Sequence, residues 1–202
     1  PYLSRGLGDV YKRQTLNGTA GISLATTNIT VTDQVNKSEA DTINAYTTGQ
    51  VVLNSASMTV SELATVEALN DSEMKFADNG AISVSDAATL ANANTINAYT
   101  TGQVTLTSVS DTVANITSID GLTTTEVTMA GATVSVSDAA TLANANAING
   151  FTTGTVTLNS VSDTVSNLAT LAAIDNAEVT IAGAAISVSD AATLANANTI
   201  NA

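Results

Sequence analysis

The chain contains no cysteine and no histidine among its 202 residues. Without cysteine it forms no disulfide and offers no thiolate nucleophile. Without either residue it lacks the usual ligands of a zinc site, and histidine-based acid–base catalysis is excluded as well. Asp and Glu, with a few Tyr and Lys, are the acid–base groups that remain.

Aromatic and basic residues are also scarce. Only 3% of the residues are aromatic while 44% are hydrophobic, so the core must be built from Ala, Val, Ile and Leu. Five basic residues against 18 acidic ones give a net charge of −13. Because a basic surface is missing, we expect no nucleic-acid partner. No apolar run approaches the roughly 18 residues of a membrane span, so we expect no membrane insertion.

The first fourteen residues differ from the rest of the chain. Residues 1–14, PYLSRGLGDVYKRQ, contain the only proline and three of the five basic residues. From Ser4 to Gln14 the string resembles the translation of a transposon-type sequencing adapter. We therefore treat residues 1–14 as a non-native scar outside the fold. On this reading the chain is a metagenomic fragment whose natural part, residues 15–202, is truncated at both ends.

Residues 15–202 form a tandem repeat. The sequence ISVSDAATLANANTINA begins at Ile82 and again at Ile186, and a near copy begins at Val134. A second, related unit lies between these copies: LTSVSDTVANITSI begins at Leu106, and LNSVSDTVSNLATL begins at Leu158. The period is therefore 52 residues, made of two half-repeats of about 26 residues. We call the SDAAT type half-repeat A and the SDTV type half-repeat B.

Each half-repeat has the pattern of a strand followed by a helix. Apolar and hydroxyl residues alternate first, as in ISVS from Ile186, which is typical of a half-buried strand. A Ser-Asp pair then gives a helix N-cap signal. Apolar residues follow at every third position over about three turns. In half-repeat A, a Thr-Thr-Gly sequence ending at Gly49, Gly102 or Gly154 predicts the stop of the helix.

A short strand and a short helix cannot bury their apolar faces alone, whereas stacked copies share a continuous core. The sequence therefore predicts an α/β fold: a β/α solenoid of about seven stacked strand–helix coils with a parallel sheet. Residues 15–202 would form a single array. The alternative is a doubly wound α/β sheet with helices on both faces. Its strands are normally apolar on both sides, so the Thr/Ser alternation disfavours it.

The Asp that follows each strand is the most regular polar residue. Stacked coils would place these carboxylates in a column, and Ca²⁺ is the natural partner of such oxygen ligands. Helix N-capping predicts the same placement without a metal, and Met58 interrupts the column. We therefore interpret these residues as helix caps and assign no catalytic, cofactor or metal site. The residues of the candidate calcium column are Asp33, Asp86, Asp111, Asp138, Asp163 and Asp190.

Asparagine also recurs at fixed positions in the A helices, in the sequence LANAN. Asn is a poor helix former, so its repetition needs a reason. Stacked Asn side chains can form hydrogen-bonded ladders between coils, and we interpret the cluster as such a structural feature.

The sequences VSDTVSNLATL and SVSDAATLANANAIN resemble the degenerate repeat arrays of very large secreted or surface proteins of bacteria, including marine cyanobacteria. The resemblance covers Thr15 to Ala202. It implies a secreted or cell-surface location, an adhesive or structural role, and other surface proteins, glycans or flanking repeats as partners. Some such proteins carry RTX-type calcium modules, but their G-G-x-G-x-D sequence is absent here.

We expect a non-enzymatic structural or adhesive segment of a large extracellular bacterial protein. An active site is normally a break in a repeat, whereas these acidic residues occupy consensus positions. The alternative is a calcium-stabilised binding module. More distant is a solenoid polysaccharide-degrading enzyme with paired carboxylates, and the least regular stretch, Glu62 to Asp78, is where its site would lie.

Overall fold

The structure is a computed structural model that describes residues 24–69, 72–122, 126–174, 178–181 and 183–200. Side chains are described for these residues except 174 and 199. The adapter-like residues 1–14 lie outside the described part of the chain, so their assignment stays a prediction.

Strands and helices alternate along the described chain. The strands are β1 (Ile29–Val35), β2 (Val51–Met58), β3 (Met74–Ala88), β4 (Val104–Asp111), β5 (Val127–Thr128), β6 (Thr133–Ala140), β7 (Val156–Asp163), β8 (Val179–Thr180) and β9 (Ala185–Val188). The helices are α1 (Lys37–Asn44), α2 (Val60–Glu67), α3 (Leu90–Asn97), α4 (Val113–Asp120), α5 (Leu142–Phe151), α6 (Val165–Ile174) and α7 (Leu194–Ile200). None of these helices is long and apolar enough to span a bilayer.

The described residues group by their contacts into two compact units. With the gaps given above, they are 24–86, 92–105 and 126–127 in the first unit, and 87–91, 106–122 and 128–200 in the second. In the first unit β1 pairs with β2 and β2 with β3, in parallel. In the second, β6 pairs in parallel with β4 and β7, and β7 with β8 and β9.

The predicted α/β class and the parallel sheet are therefore confirmed. In both units the order of the strands follows the sequence. A doubly wound sheet requires a point at which this order reverses, and neither unit has one among its described strands.

The strands are half-buried, as the alternating pattern predicts. In β1, Ile29, Val31 and Val35 are buried whereas Thr30 and Thr32 are exposed. These strands thus pack one face into the core and leave a polar face open, whereas all four residues of β9 are exposed. Such one-sided burial is unusual for parallel strands, which are normally covered on both faces.

The helices supply the other half of the core with few and mostly small residues. Ala145 and Ile148 of α5 are fully buried, and Ala40 and Ile43 occupy the same positions in α1. A thin layer of this kind suits a chain with so few aromatic residues. The apolar spacing of three predicted from the sequence is the spacing of these buried pairs.

The strand register is displaced from one repeat to the next. In the second unit Val134 lies opposite Val109 on one neighbouring strand and opposite Val156 on the other. In the 52-residue repeat Val156 corresponds to Val104, which precedes Val109 by five residues. Equivalent residues are therefore offset along the strand direction by about 16 Å per repeat, at roughly 3.3 Å per residue. Equivalent side chains do not lie directly beside each other.

The Thr-Thr-Gly sequence after α1, α3 and α5 binds the loop to backbone carbonyl groups about 20 residues earlier in the chain. The Thr152 hydroxyl, which is buried, donates to the carbonyl oxygen of Ala132 at 2.6 Å and accepts from the Gly154 N–H at 2.9 Å. The Thr153 N–H and hydroxyl both donate to the carbonyl oxygen of Ala130. The same bonds form at Thr47–Gly49 and Thr100–Gly102.

The predicted stop at Thr-Thr-Gly holds for α5, which ends at Phe151 with Thr152 at its C-cap, whereas α1 ends earlier, at Asn44, with Ala45 at its C-cap. The glycine itself lies beyond the helix terminus in both. The glycine is needed for a close backbone approach instead. A Cβ atom at Gly154 would lie 2.2 Å from the carbonyl oxygen of Ala132, and one at Gly102 would lie 2.4 Å from that of Gly80.

We expect Gly154→Ala to destabilise the protein by about 1–3 kcal/mol, because the added methyl group forces the loop away from the backbone. Gly150→Ala is the matched control. Gly150 lies in α5, and a Cβ atom added there would meet no atom within 4 Å, so alanine should be neutral or stabilising by up to about 1 kcal/mol. Denaturant unfolding measures both, and equal effects would contradict the close-approach role.

Candidate functional site

Four helices have a described N-cap residue, and in none of them is it the strand-end aspartate. In half-repeat B, Thr112 follows Asp111 and accepts the N–H of Asn115. In half-repeat A, Thr141 lies three residues after Asp138 and caps α5. The expectation that each Asp caps the helix that follows it is therefore corrected: threonine does so, as Asn36 does for α1.

The A-type aspartates instead accept a hydrogen bond from the preceding half-repeat. Oδ1 of Asp138 accepts the N–H of Val113, the first residue of α4, at 2.8 Å. Asp86 accepts from Val60 in the same way, and Asp190 from Val165, both at 2.8 Å. An N–H group at the first helical position has no partner within its own helix. The carboxylate of the next half-repeat therefore supplies that partner.

The B-type aspartates join two helix starts. Oδ2 of Asp111 accepts the N–H of Leu90 at 2.9 Å, at the start of the preceding helix α3. Its Oδ1 accepts from the Thr112 N–H and from Nδ2 of Asn115, both at 2.8 Å, at the start of its own helix. Asp163 repeats this arrangement with Leu142, Thr164 and Asn167.

These bonds set the protonation of the B-type carboxyl groups. Burial alone would raise the pKa of Asp111, but the hydrogen bonds from Leu90, Asn115 and Thr112 outweigh it and hold the pKa below its usual value. The pKa of Asp163 is lowered by its hydrogen bond from Leu142, then by those of its own helix start. Both groups are therefore carboxylates at neutral pH.

Strand pairing does not set the B-type aspartates of the second unit opposite the A-type ones. Asp111 lies opposite Val136 on the next strand, and Asp163 lies opposite Val188. The A-type Asp138 lies where the register of β6 and β7 shifts. The strand pairing of this unit therefore gives no support to the candidate calcium column.

The two earliest positions of the aspartate series differ from the later ones. Met58 occupies the aspartate position at the end of β2 and is buried. Asp33 lies at the register shift of β1 and β2, and its Oδ2 is buried without a hydrogen-bond partner. Within the described ranges, no group of three or more Asp and Glu side chains is placed to hold a metal ion.

The first asparagine of the LANAN sequence forms bonds within its own helix start in two copies. Oδ1 of Asn144 accepts the N–H of Thr141 at 2.9 Å, closing a capping box, and Asn196 does the same with Thr193. These bonds differ from the ladders between coils that the repetition predicted. A Thr followed three residues later by Asn is the sequence signal for this capping arrangement.

In the irregular stretch from Glu62 to Asp78, the two end residues each have a partner of their own. Oε2 of Glu62 accepts from the N–H and hydroxyl of Thr59 in a capping box. Lys75 and Asp78 form an ion pair at 3.7 Å, and the Asp78 side chain is exposed. Glu62 therefore has a structural partner at the start of α2.

No protein-family model, curated protein or solved structure matches this chain.

We expect Asp111→Ala to destabilise the protein by about 1–3 kcal/mol, because two helix starts lose a charged hydrogen-bond acceptor. Asp120→Ala is the matched control, since Asp120 is an exposed residue at the end of α4. Removing a negative charge there is favourable to the helix dipole by a few tenths of a kcal/mol. Chemical denaturation of both variants checks this, and a neutral Asp111→Ala would refute the bridging role.

We also expect stability to fall in acid through Asp111 and Asp163. Because their folded-state pKa values are lowered, their contribution is complete above the unfolded-state pKa of about 3.9 and is lost as pH falls through the folded-state values. The double variant Asp111→Asn/Asp163→Asn keeps an acceptor oxygen but does not titrate. Its unfolding free energy should fall less steeply below about pH 4 than that of the parent. Parallel pH profiles would contradict the prediction.

Proposed function

We propose that the chain is a non-enzymatic solenoid segment that serves as a structural or adhesive spacer in a large extracellular bacterial protein. The observation that carries this proposal is the use of the repeated polar residues. The strand-end aspartates and the Thr-Thr-Gly loops, the most regular polar features, bond to backbone groups of the same or the neighbouring half-repeat.

A solenoid is an array in which each repeat contacts mainly its neighbours. Three features of the described residues support this reading. Successive strands pair in parallel, and the order of the strands follows the sequence. Five of the six strand-end aspartates, all but Asp33, accept a hydrogen bond from the helix one half-repeat before them. Such an array gains length by adding copies, which suits a spacer.

The proposed location and partners follow from the resemblance to secreted repeat arrays and from the chemistry of the surface. The exposed strand faces carry hydroxyl side chains, such as Thr30 and Thr32 in β1, and the chain is acidic overall. Polar, uncharged faces of this kind suit contacts with glycans or with other surface proteins at the cell exterior.

A calcium titration separates this proposal from a calcium-stabilised module. A site with a dissociation constant of about 10 μM would stabilise the fold by about 2.7 kcal/mol at about 1 mM calcium. We expect thermal unfolding midpoints in calcium at that concentration and in EDTA to agree, because the carboxylate oxygens already accept backbone N–H groups. A rise that magnesium does not reproduce would favour the calcium module.

An activity assay tests the non-enzymatic part of the proposal. The chain should release no product from polysaccharides or peptides, because the acidic residues at its consensus positions accept helix N–H groups, as Asp111 and Asp138 do. Saturable hydrolysis that is lost in Glu62→Gln would contradict the proposal and assign a site to the irregular stretch.

A further inference from the structure

The chain contains one eighteen-residue sequence twice, in two different surroundings. Residues 81–98 and residues 185–202 are identical, AISVSDAATLANANTINA. The first copy is followed by half-repeat B from β4 onward, and the second copy is the last segment described. Any difference between the two copies therefore reflects what covers them rather than their sequence.

The strand residues of the two copies differ sharply in burial. Ile82 and Val84 are 2% and 0% exposed in the first copy. Their counterparts Ile186 and Val188 are 42% and 36% exposed in the second. The preceding strand covers both copies, since Ala56 lies opposite Ile82 and Val161 lies opposite Ile186. The missing cover is therefore on the side of the following strand.

The uncovered residues of the second copy line one apolar groove. It is formed by Ala184, Ile186, Val188, Ala192, Ala197 and Ile200. The residues 104 positions earlier are Gly80, Ile82, Val84, Ala88, Ala93 and Ile96, and all six are buried. The groove thus consists of residues that belong to the core in the first copy and are left uncovered in the second.

The A half-repeat that contains β6 shows which element covers such a strand: the B strand that follows it. Val134 and Val136 of β6 lie opposite Val156 and Leu158 of the B strand β7. The Val134 N–H donates to the carbonyl oxygen of Thr155 at 2.8 Å, and Ile82 donates in the same way to Gln103. In this chain a B half-repeat follows each A half-repeat that has a described successor.

We propose that the groove is an interface for a further half-repeat of the B type, held by strand pairing along β9 and by packing against α7. The proposal rests on the proposed solenoid function and deepens it by naming the partner. The incoming strand carries the sequence Val-x-Leu, with its Val opposite Ile186 and its Leu opposite Val188. A second copy of this chain fits less well, because its first described strand, β1, belongs to an A half-repeat.

The test adds the missing element to the full chain. Residues 99–122 follow the first copy directly, so their sequence is appended after Ala202. We expect Tm to rise by about 4 °C or more, and amide exchange at Ile186 and Val188 to slow by about tenfold or more. The matched control appends the same sequence with Asp in place of the residues that copy Val104 and Leu106, and it should change neither quantity.

Two results would overturn the proposal. One is an equal response to the appended sequence and to its Asp-substituted control, which would show that added length alone acts. The other is concentration-dependent self-association of the unextended chain that Ile186→Asp abolishes, which would assign the groove to a second copy. Neither result depends on the calcium or activity assays, so failure here is distinguishable from failure of the proposed function.

Discussion

The hydrogen bond from a helix N–H to the carboxylate of the following half-repeat is the interaction on which the rest of the structure depends. A strand and a helix of eight or so residues bury only a few aliphatic side chains, such as Ala145 and Ile148 in α5. Such a unit cannot be stable alone. The bond from Val113 to Asp138 satisfies a helix start and at the same time fixes the distance between neighbouring half-repeats.

The alternation of A and B half-repeats has a physical reason in this interaction. The B-type Asp111 lies directly before its N-cap Thr112 and can reach both its own helix and the preceding one. The A-type Asp138 lies three residues before Thr141 and accepts a hydrogen bond from the first residue of the preceding helix. The contact between successive half-repeats is therefore of two alternating kinds, one made by a B-type aspartate and one by an A-type aspartate. The same kind of contact recurs only every 52 residues.

Much of this architecture could be predicted from the sequence. The alternation of apolar and hydroxyl residues in β1 identifies a half-buried strand. The spacing of Ala145 and Ile148 identifies a helix with one apolar face. Both patterns depend on local backbone geometry alone. The partner of each aspartate could not be predicted in the same way. Asp138 has an equally plausible acceptor role toward its own helix, and the choice of Val113 depends on a strand register that the sequence does not display.

The measurement that most directly tests the bond between half-repeats is a double-mutant cycle on Asp138→Ala and Val113→Pro. Proline at the first helical position removes the N–H that Asp138 accepts and is otherwise compatible with the helix start, since Thr112 before it has the extended backbone that proline requires. We expect each variant to be destabilised and the pair to be non-additive, with a coupling energy of about 1 kcal/mol. Strictly additive unfolding free energies would show that the bond does not hold the half-repeats together.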